Sequence, residues 1–343
     1  MKRKIIITVI AVCMMIVGCG DNSEKKEPDN ASAEKELFAM DTYMTVTAYG
    51  ENAQEAVDRA ADEIERLDTL LSTGNDESET AQLNQNGGGE LSEEAGYLVE
   101  RSMELYQKTD GIFDIAIYPI MEAWGFTTQN YRVPSEEELA ELLRLTDASK
   151  VTYNTDSREI TFDLDGMKID FGGIAKGYTS SRIMDIYRDC GIESGIVNLG
   201  GNVQVLGTKT DGSDWRVAIQ SPDDAEDYLG VLEIQDKAVI TSGGYERYFE
   251  QDGNTYHHII DPATGYPAES GLISVTVVSE DGTLADGLST SLFIMGKDEA
   301  VSFWREHSDE FDVILETEDR VLYVTEGIAD KFSSEYQMEI IEK

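Results

Sequence analysis

A dense series of short strand-like segments between residues 151 and 279 constrains the fold of this chain more than any other feature. The segments are bounded by turn residues, and several alternate apolar with polar residues. Asp-Gly pairs such as Asp165-Gly166 and Asp252-Gly253 stand between neighbouring segments and favour tight hairpins. Because hairpins join antiparallel strands, we predict a mixed, largely antiparallel sheet. The predicted strands are 151–154, 159–163, 167–171, 195–199, 202–206, 215–220, 230–235, 238–242, 246–251, 255–260 and 272–279.

Segments with helical periodicity flank this strand-rich region. Apolar residues recur at helical spacing in 52–71 and 92–108, and the connection between these two helices is predicted to be loop-rich. A capping box, Ser135-x-x-Glu138, begins a third helix, and Thr283 is predicted to cap a fourth. The fold class is therefore α+β, a sheet core flanked by helices. The remaining predicted elements are a strand within 37–49, a helix at 298–307 and a hairpin at 311–325.

The segment 168–178 joins a strand-like run to a helix through two adjacent glycines. Gly172 and Gly173 have no Cβ, so a ligand can approach the backbone closely. The free N–H groups at the start of the helix favour anions, phosphates above all, and Lys176 adds a positive charge nearby. The alternative is that the two glycines only form a tight strand-to-helix corner, and these residues alone do not separate the two interpretations. The segment is neither a P-loop nor a GxGxxG motif.

The charge balance excludes several classes of partner. The 343 residues include 27 Lys and Arg against 68 Asp and Glu, which gives a formal net charge of −41. Such a chain repels nucleic acid and anionic lipid surfaces at long range. An anionic ligand would need a local positive pocket or a divalent cation.

The amino terminus has the pattern of an export signal. Residues 1–18 combine a basic start with an apolar run and a small residue before Cys19, and 16–19 resemble a bacterial lipobox. We expect 1–18 to be a lipoprotein signal peptide, and 19–35 to be a lipidated Cys with a flexible tether. Residues 36–343 would form one domain. The mature protein is then an extracytoplasmic lipoprotein anchored to a membrane through Cys19.

Three polar clusters outside 168–178 could carry chemistry. Residues 198–202 contain Gly-Gly at a strand end, which permits close approach to a ligand or marks a simple turn. Residues 241–265 include adjacent His257 and His258, whose side chains point to opposite faces if they lie on a strand. Asp286 and Thr290 form an i, i+4 pair of oxygen ligands that suits Mg²⁺, although Asp286 in the first turn of a helix also complements the helix dipole.

Taken together, these motifs resemble the ApbE family of FAD:protein FMN transferases, or flavin transferases. The resemblance spans residues 37 to 330 and depends on several short motifs that occur in the family's order. The matching segments are Met40-Asp41-Thr42, Leu70-Leu71-Ser72, Phe113-Asp114, Trp124-Gly125-Phe126, Asp170 to Tyr178, Asn198 to Asn202, Thr241 to Gly265 and Asp286 to Gly296.

The resemblance implies an ApbE-like, T-fold-like domain that cleaves FAD at its pyrophosphate. FMN is joined by a phosphoester bond to a Thr or Ser of a target flavoprotein, such as a subunit of a membrane redox complex, and AMP is released. Magnesium is the implied cofactor and FAD the substrate. The implied roles are metal ligation by Asp286, Thr290 and the Gly173 carbonyl, catalysis by Asp286 and the base His258, and binding of FAD by Met40, Ile112, Phe113, Asp114, Lys176 and His258.

Some positions depart from the family pattern, and two other functions share the same motifs. Gly74 stands where a Tyr often stacks on the nucleotide, Ala263 replaces a frequent Arg, and Ser181 replaces a frequent acidic residue. These changes concern FAD affinity more than chemistry. One alternative is a Mg²⁺-dependent FAD pyrophosphatase, in which water replaces the acceptor hydroxyl. The other is a lipoprotein that binds FAD without turning it over.

Overall fold

The computed structural model describes residues 31–224 and 226–343. The predicted signal peptide, Cys19 and residues 20–30 of the tether lie outside this range. The first strand, β1, begins at Ser32, four residues before the predicted start of the domain at residue 36. The segment 32–36 is polar, which made it resemble the tether. It forms a strand because all eight residues of β1 pair with the next strand.

Nine strands form the main sheet in the order β1-β2-β6-β7-β10-β13-β14-β15-β17. Neighbouring strands pair antiparallel except β15 with β17, which are parallel. The predicted mixed, largely antiparallel sheet of an α+β fold is therefore confirmed. These strands are β1 (Ser32–Ala39), β2 (Thr42–Tyr49), β6 (Ser194–Leu199), β7 (Asn202–Leu206), β10 (Ala238–Gly243), β13 (Leu272–Ser279), β14 (Asp312–Thr317), β15 (Val321–Thr325) and β17 (Gln337–Ile341).

Three smaller sheets accompany the main one, in the orders β16-β9-β8, β3-β5-β4 and β11-β12. Their strands are β3 (Gly88–Glu90), β4 (Val151–Asn154), β5 (Glu159–Phe162), β8 (Trp215–Gln220), β9 (Tyr228–Ile234), β11 (Tyr248–Gln251), β12 (Asn254–His257) and β16 (Phe332–Ser333). The helices are α1 (Ala53–Leu71), α2 (Glu79–Asn86), α3 (Glu93–Lys108), α4 (Tyr118–Trp124), α5 (Glu136–Leu142), α6 (Ala175–Asp189), α7 (Gly282–Met295) and α8 (Lys297–Glu306).

The main sheet lies between a helical layer and the β8-β9-β16 sheet. Alternate residues of its strands point to opposite faces. Ile240 and Val277 pack with helix α7 residues, whereas their neighbours Val239 and Val278 pack against the β8-β9-β16 sheet. A second apolar cluster joins α1 and α6 to β2 and β6. None of the helices in the described part of the chain combines the length and the apolar composition that a membrane span requires.

Three local predictions were wrong, each because a polar side chain makes a hydrogen bond to the backbone that the sequence pattern does not indicate. The predicted loop after α1 contains helix α2, which Ser78 caps by accepting a hydrogen bond from Ala81 N. Residues 167–171 form no strand. Asn84 takes the place of a neighbouring strand there, since its amide bonds both Ile169 N and Ile169 O, at 2.7 and 2.8 Å. Helix α7 is capped by Asp281, not by Thr283.

Candidate active site

A cleft of about 1020 Å³ opens where the β1–β2 turn, the start of α6 and the end of β10 meet. Its volume is at the upper end of the range for small-molecule sites. All of the sequence-predicted site residues except Asp286 line this cleft, although they are up to 250 positions apart in the chain. The cleft lining includes Met40, Ile112, Phe113, Asp114, Gly173, Lys176, His258 and Thr290. Gly74, a position where the resemblance led us to expect Tyr, also lines it.

Asp286 lies behind the cleft wall and joins α7 to the start of α6. Its carboxylate accepts hydrogen bonds from Gly177 N at 2.8 Å and from Asn202 Nδ2 at 3.0 Å. A Cβ on Gly177 would stand 2.1 Å from Gly282 O, so only glycine lets the two helices approach this closely. Burial raises the pKa of the Asp286 carboxyl, and the Lys176 ammonium partly opposes that shift.

The bond from Gly177 to Asp286 has a consequence for Gly173. In a regular helix, the Gly177 amide would donate to the carbonyl four residues earlier, which belongs to Gly173. Gly177 N donates to Asp286 instead. Among the described contacts the Gly173 carbonyl then has no backbone partner, and Gly173 lines the cleft. An unpaired carbonyl oxygen therefore accompanies the buried carboxylate at the start of α6.

Thr290 adds a hydroxyl to this group of oxygens. It lies one turn after Asp286 in α7 and lines the cleft. Ser242 Oγ at the end of β10 is 3.3 Å from Thr290 Oγ1 and 2.8 Å from Ser289 Oγ. Within the described residues, no three His, Cys, Asp or Glu side chains form a cluster suited to a metal ion. A cation here would be held by one carboxylate with neutral oxygens.

Asp114 has a positioning role that the sequence did not indicate. Its carboxylate accepts from the backbone amides of Ala116, Asp147 and Ala148, at 2.7 to 3.3 Å. Burial raises its pKa, and these hydrogen bonds oppose the shift. The carboxylate therefore caps the short 3-10 helix Ile115–Ile117 and holds the preceding residue Phe113 at the cleft.

The β1–β2 turn is strained where it meets the cleft. Met40 and Asp41 adopt left-handed conformations, with φ of 47° and 60°, which non-glycine residues rarely populate. The Met40 amide donates to Asp68 Oδ1 at 3.0 Å, which helps to hold the turn. Such strain often accompanies a functional surface.

The two adjacent histidines lie in different environments. The predicted strand 255–260 ends at His257, so His258 lies just beyond β12 and strand alternation does not account for the difference. His257 Nε2 is 3.1 Å from Ala268 O, and its ring packs edge-on against Phe293. His258 lines the cleft, and its Nδ1 is 3.2 Å from Arg247 O. Because a carbonyl only accepts, Nδ1 carries the proton and Nε2 keeps a free lone pair. Burial, with the Arg247 guanidinium, lowers the pKa of His258 to about 3, so its imidazole is neutral at physiological pH.

Glu246 and Arg247 also line the cleft, and the sequence assigned no role to either. Arg247 Nη2 donates to Phe126 O at 2.7 Å, which fixes the side chain to the aromatic cluster around Trp124. The Glu246 side chain faces the water in the cleft. The surrounding walls nevertheless raise its pKa to about 7, and Lys176 opposes that shift. The only available signal was that both residues lie in the 241–265 motif.

Comparison with known proteins gives one consistent result. The model of the ApbE family matches residues 40–315. The FAD:protein FMN transferase of Klebsiella pneumoniae (strain 342) is 33% identical over 274 residues, 79% of this chain and 84% of that protein. The FAD:protein FMN transferase of Treponema pallidum (strain Nichols) is 28% identical over 345 residues, 94% of each chain.

Solved structures share the architecture over most of the chain. The ApbE protein of Thermotoga maritima has a TM-score of 0.81 at 33% identity, covering 87% of this chain and 98% of that one. The flavin transferase ApbE from Vibrio cholerae has a TM-score of 0.76 at 26% identity, covering 90% and 97%.

Proposed function

The chain belongs to the ApbE family, and from that membership we propose that it is a Mg²⁺-dependent FAD:protein FMN transferase. The hydroxyl oxygen of an acceptor Thr or Ser attacks the FMN phosphorus of FAD. The bond from that phosphorus to the AMP moiety breaks, so FMN becomes a phosphoester of the acceptor and AMP leaves. The observation that carries the proposal is the cleft that brings together the separated motifs shared with the transferases.

The oxygens at the start of α6 fit Mg²⁺, which prefers hard oxygen ligands. The residues that would hold it are Asp286, Thr290 and Gly173, whose carbonyl accepts no backbone hydrogen bond from the described part of the chain. A bound cation would compensate the buried charge of Asp286. When bound, Mg²⁺ would neutralise negative charge on the pyrophosphate and polarise the phosphorus.

The charge of the cleft supports a requirement for a cation. Among the described lining residues the carboxylates outnumber the cations, because only Lys176 and Arg247 are basic. The FAD pyrophosphate brings further negative charge. Lys176, the second residue of α6, is placed to bind phosphate beside the helix amino terminus.

His258 has the state that a general base requires. Its Nε2 lone pair is available because Nδ1 faces the Arg247 carbonyl, and the ring is neutral at physiological pH. It would take the proton from the acceptor hydroxyl as the oxygen attacks phosphorus. Its low pKa means that the proton must then pass on to water or to another group.

We further propose that the mature protein is an extracytoplasmic lipoprotein, anchored through Cys19 and modifying subunits of membrane redox complexes. The support is the amino-terminal sequence pattern, which lies outside the described residues. Release of the protein from membranes by detergent, with a lipid-modified Cys19 in mass spectrometry, would test this placement.

The transferase is tested with residues 20–343, FAD and Mg²⁺, with and without an acceptor flavoprotein domain. We expect AMP release together with flavin fluorescence on the acceptor band in a denaturing gel. AMP release without a labelled acceptor, when a known transferase labels the same domain, would instead identify an FAD pyrophosphatase. Bound FAD with neither signal would indicate a flavin-binding protein.

A further inference from the structure

Strand β8 is the outer strand of the β16-β9-β8 sheet. Within the part of the chain that the structure describes, no strand pairs with its other side. One row of backbone N–H and C=O groups is therefore open to pairing with another chain.

The hydrogen bonds of β9 show which β8 residues face this free edge. Glu233 of β9 donates its backbone N–H to Lys331 O at 3.0 Å, on the β16 side. Arg216 of β8 lies opposite Glu233, and because Glu233 turns its N–H towards β16, these two residues make no backbone hydrogen bond with each other. The N–H and C=O of Arg216 therefore point to the free edge. The pattern repeats every second residue, so Ala218 also turns its N–H and C=O to the free edge.

This edge opens into the cleft that holds the catalytic groups. Residues 217–220 of β8 line the same cleft as Lys176 and His258. Val239 and Thr241 of β10 line it as well, and β10 continues towards Glu246 and Arg247. The 198–202 turn forms another part of the wall, where a Cβ on Gly201 would meet no atom within 4 Å. The cleft is therefore open at Gly201, in the wall that β8 also lines.

We propose that the acceptor polypeptide binds as an extended strand along the free edge of β8, with its Thr or Ser side chain directed into the cleft towards His258. The inference rests on the proposed FMN transfer, since that reaction requires a polypeptide to enter the cleft. Strand addition binds the peptide through its backbone and leaves alternate side chains free to occupy the site. The small exposed side chain of Ala218 leaves space for the incoming strand.

The first test is Ala218→Pro, which removes the outward N–H without removing a ladder bond to β9. We expect the KM for the acceptor to rise about tenfold, from the loss of a hydrogen bond and the clash of the ring. The Kd for FAD and the Tm should stay at their wild-type values. An unchanged acceptor KM would overturn the proposal. If Ala218→Pro instead abolished a concentration-dependent dimer, the edge would be a self-association surface and the proposal would be wrong.

A matched control is Glu36→Pro in β1, the edge strand of the main sheet. Gly50 N donates to Ala31 O, so every second residue of β1 from 31 onward bonds to β2. The backbone N–H and C=O groups of residues 32, 34 and 36 therefore point away from β2, to the free edge. Glu36 is exposed and lies outside the cleft lining. This variant should keep the wild-type acceptor KM. A rise equal to that of Ala218→Pro would show that edge prolines act through general destabilisation, and would refute the assignment to β8.

The second test leaves the enzyme unchanged and modifies the acceptor. Mass spectrometry locates the flavinylated Thr or Ser, and short synthetic peptides centred on it are N-methylated at one backbone position each. We expect methylation at alternate positions to impair labelling and methylation between them to be tolerated. Loss without this alternation would exclude strand addition. If the wild-type enzyme transfers FMN and neither Ala218→Pro nor N-methylation impairs the transfer, only the docking mode is refuted. If the wild-type enzyme transfers no FMN, both the transferase and this inference are refuted.

Discussion

Replacing Asp286 by Ala should lower stability even when no metal is present. The carboxylate accepts from Gly177 N and Asn202 Nδ2, and both donors would be left buried and unpaired. Each such donor costs about 1–3 kcal/mol. Removal of the carboxylate offsets part of this loss of stability, because burial disfavours the charged form of Asp286 in the folded protein. We expect the free energy of unfolding to fall by about 2–4 kcal/mol.

Urea unfolding followed by tryptophan fluorescence, with EDTA present, measures this change apart from metal binding. Thr290→Val is the matched control, because it removes the other proposed side-chain ligand but leaves only the 3.3 Å contact with Ser242 unmade. It should change the unfolding free energy by less than about 1 kcal/mol. An Asp286→Ala curve in EDTA that coincides with wild type would refute the structural role of the carboxylate. Both variants should lose Mg²⁺-dependent AMP release.

Three further predictions concern the cleft and the helix contact behind it. The pKa of Glu246 is about 7 in the folded protein, against an ordinary value of 4.5. The contribution of its carboxyl group to the free energy of unfolding is therefore fully present below pH 4.5 and is lost as the pH rises through 7. Glu246→Gln should therefore gain stability relative to wild type across that window, and parallel thermal-melting curves would contradict this. His258→Ala should slow transfer about 10²–10⁴-fold with little change in the Kd for FAD, whereas His257→Gln, next to it but turned away, should have a much smaller effect on transfer. Equal losses of FAD binding and transfer in His258→Ala would argue against a base. Gly177→Ala, whose Cβ would clash with Gly282 O, should cost about 1–3 kcal/mol in urea unfolding and weaken Mg²⁺-dependent activity, whereas wild-type stability would show that α6 and α7 separate freely.

Local periodicity was enough to predict most of the secondary structure. Helices α1 and α3 carry apolar residues at helical spacing, and the Asp252-Gly253 turn joins β11 to β12 as predicted. Asp165-Gly166 joins no hairpin, because residues 167–171 form no strand. The prediction failed where a single side chain replaced a regular pattern. Asn84 substitutes for a neighbouring strand beside Ile169, and its partner is 85 residues away. No repeat in the sequence indicates such a bond.

For the candidate site, the sequence by itself determined the family and the chemical types of the cleft residues. Only the tertiary structure decided how these groups act on one another. Asp286 reaches Gly177 across 109 positions and leaves the Gly173 carbonyl without its helical partner. Likewise, the β8 edge opens into the cleft only because two sheets pack face to face. Contacts between distant segments depend on how elements pack, and neither spacing nor composition records that packing.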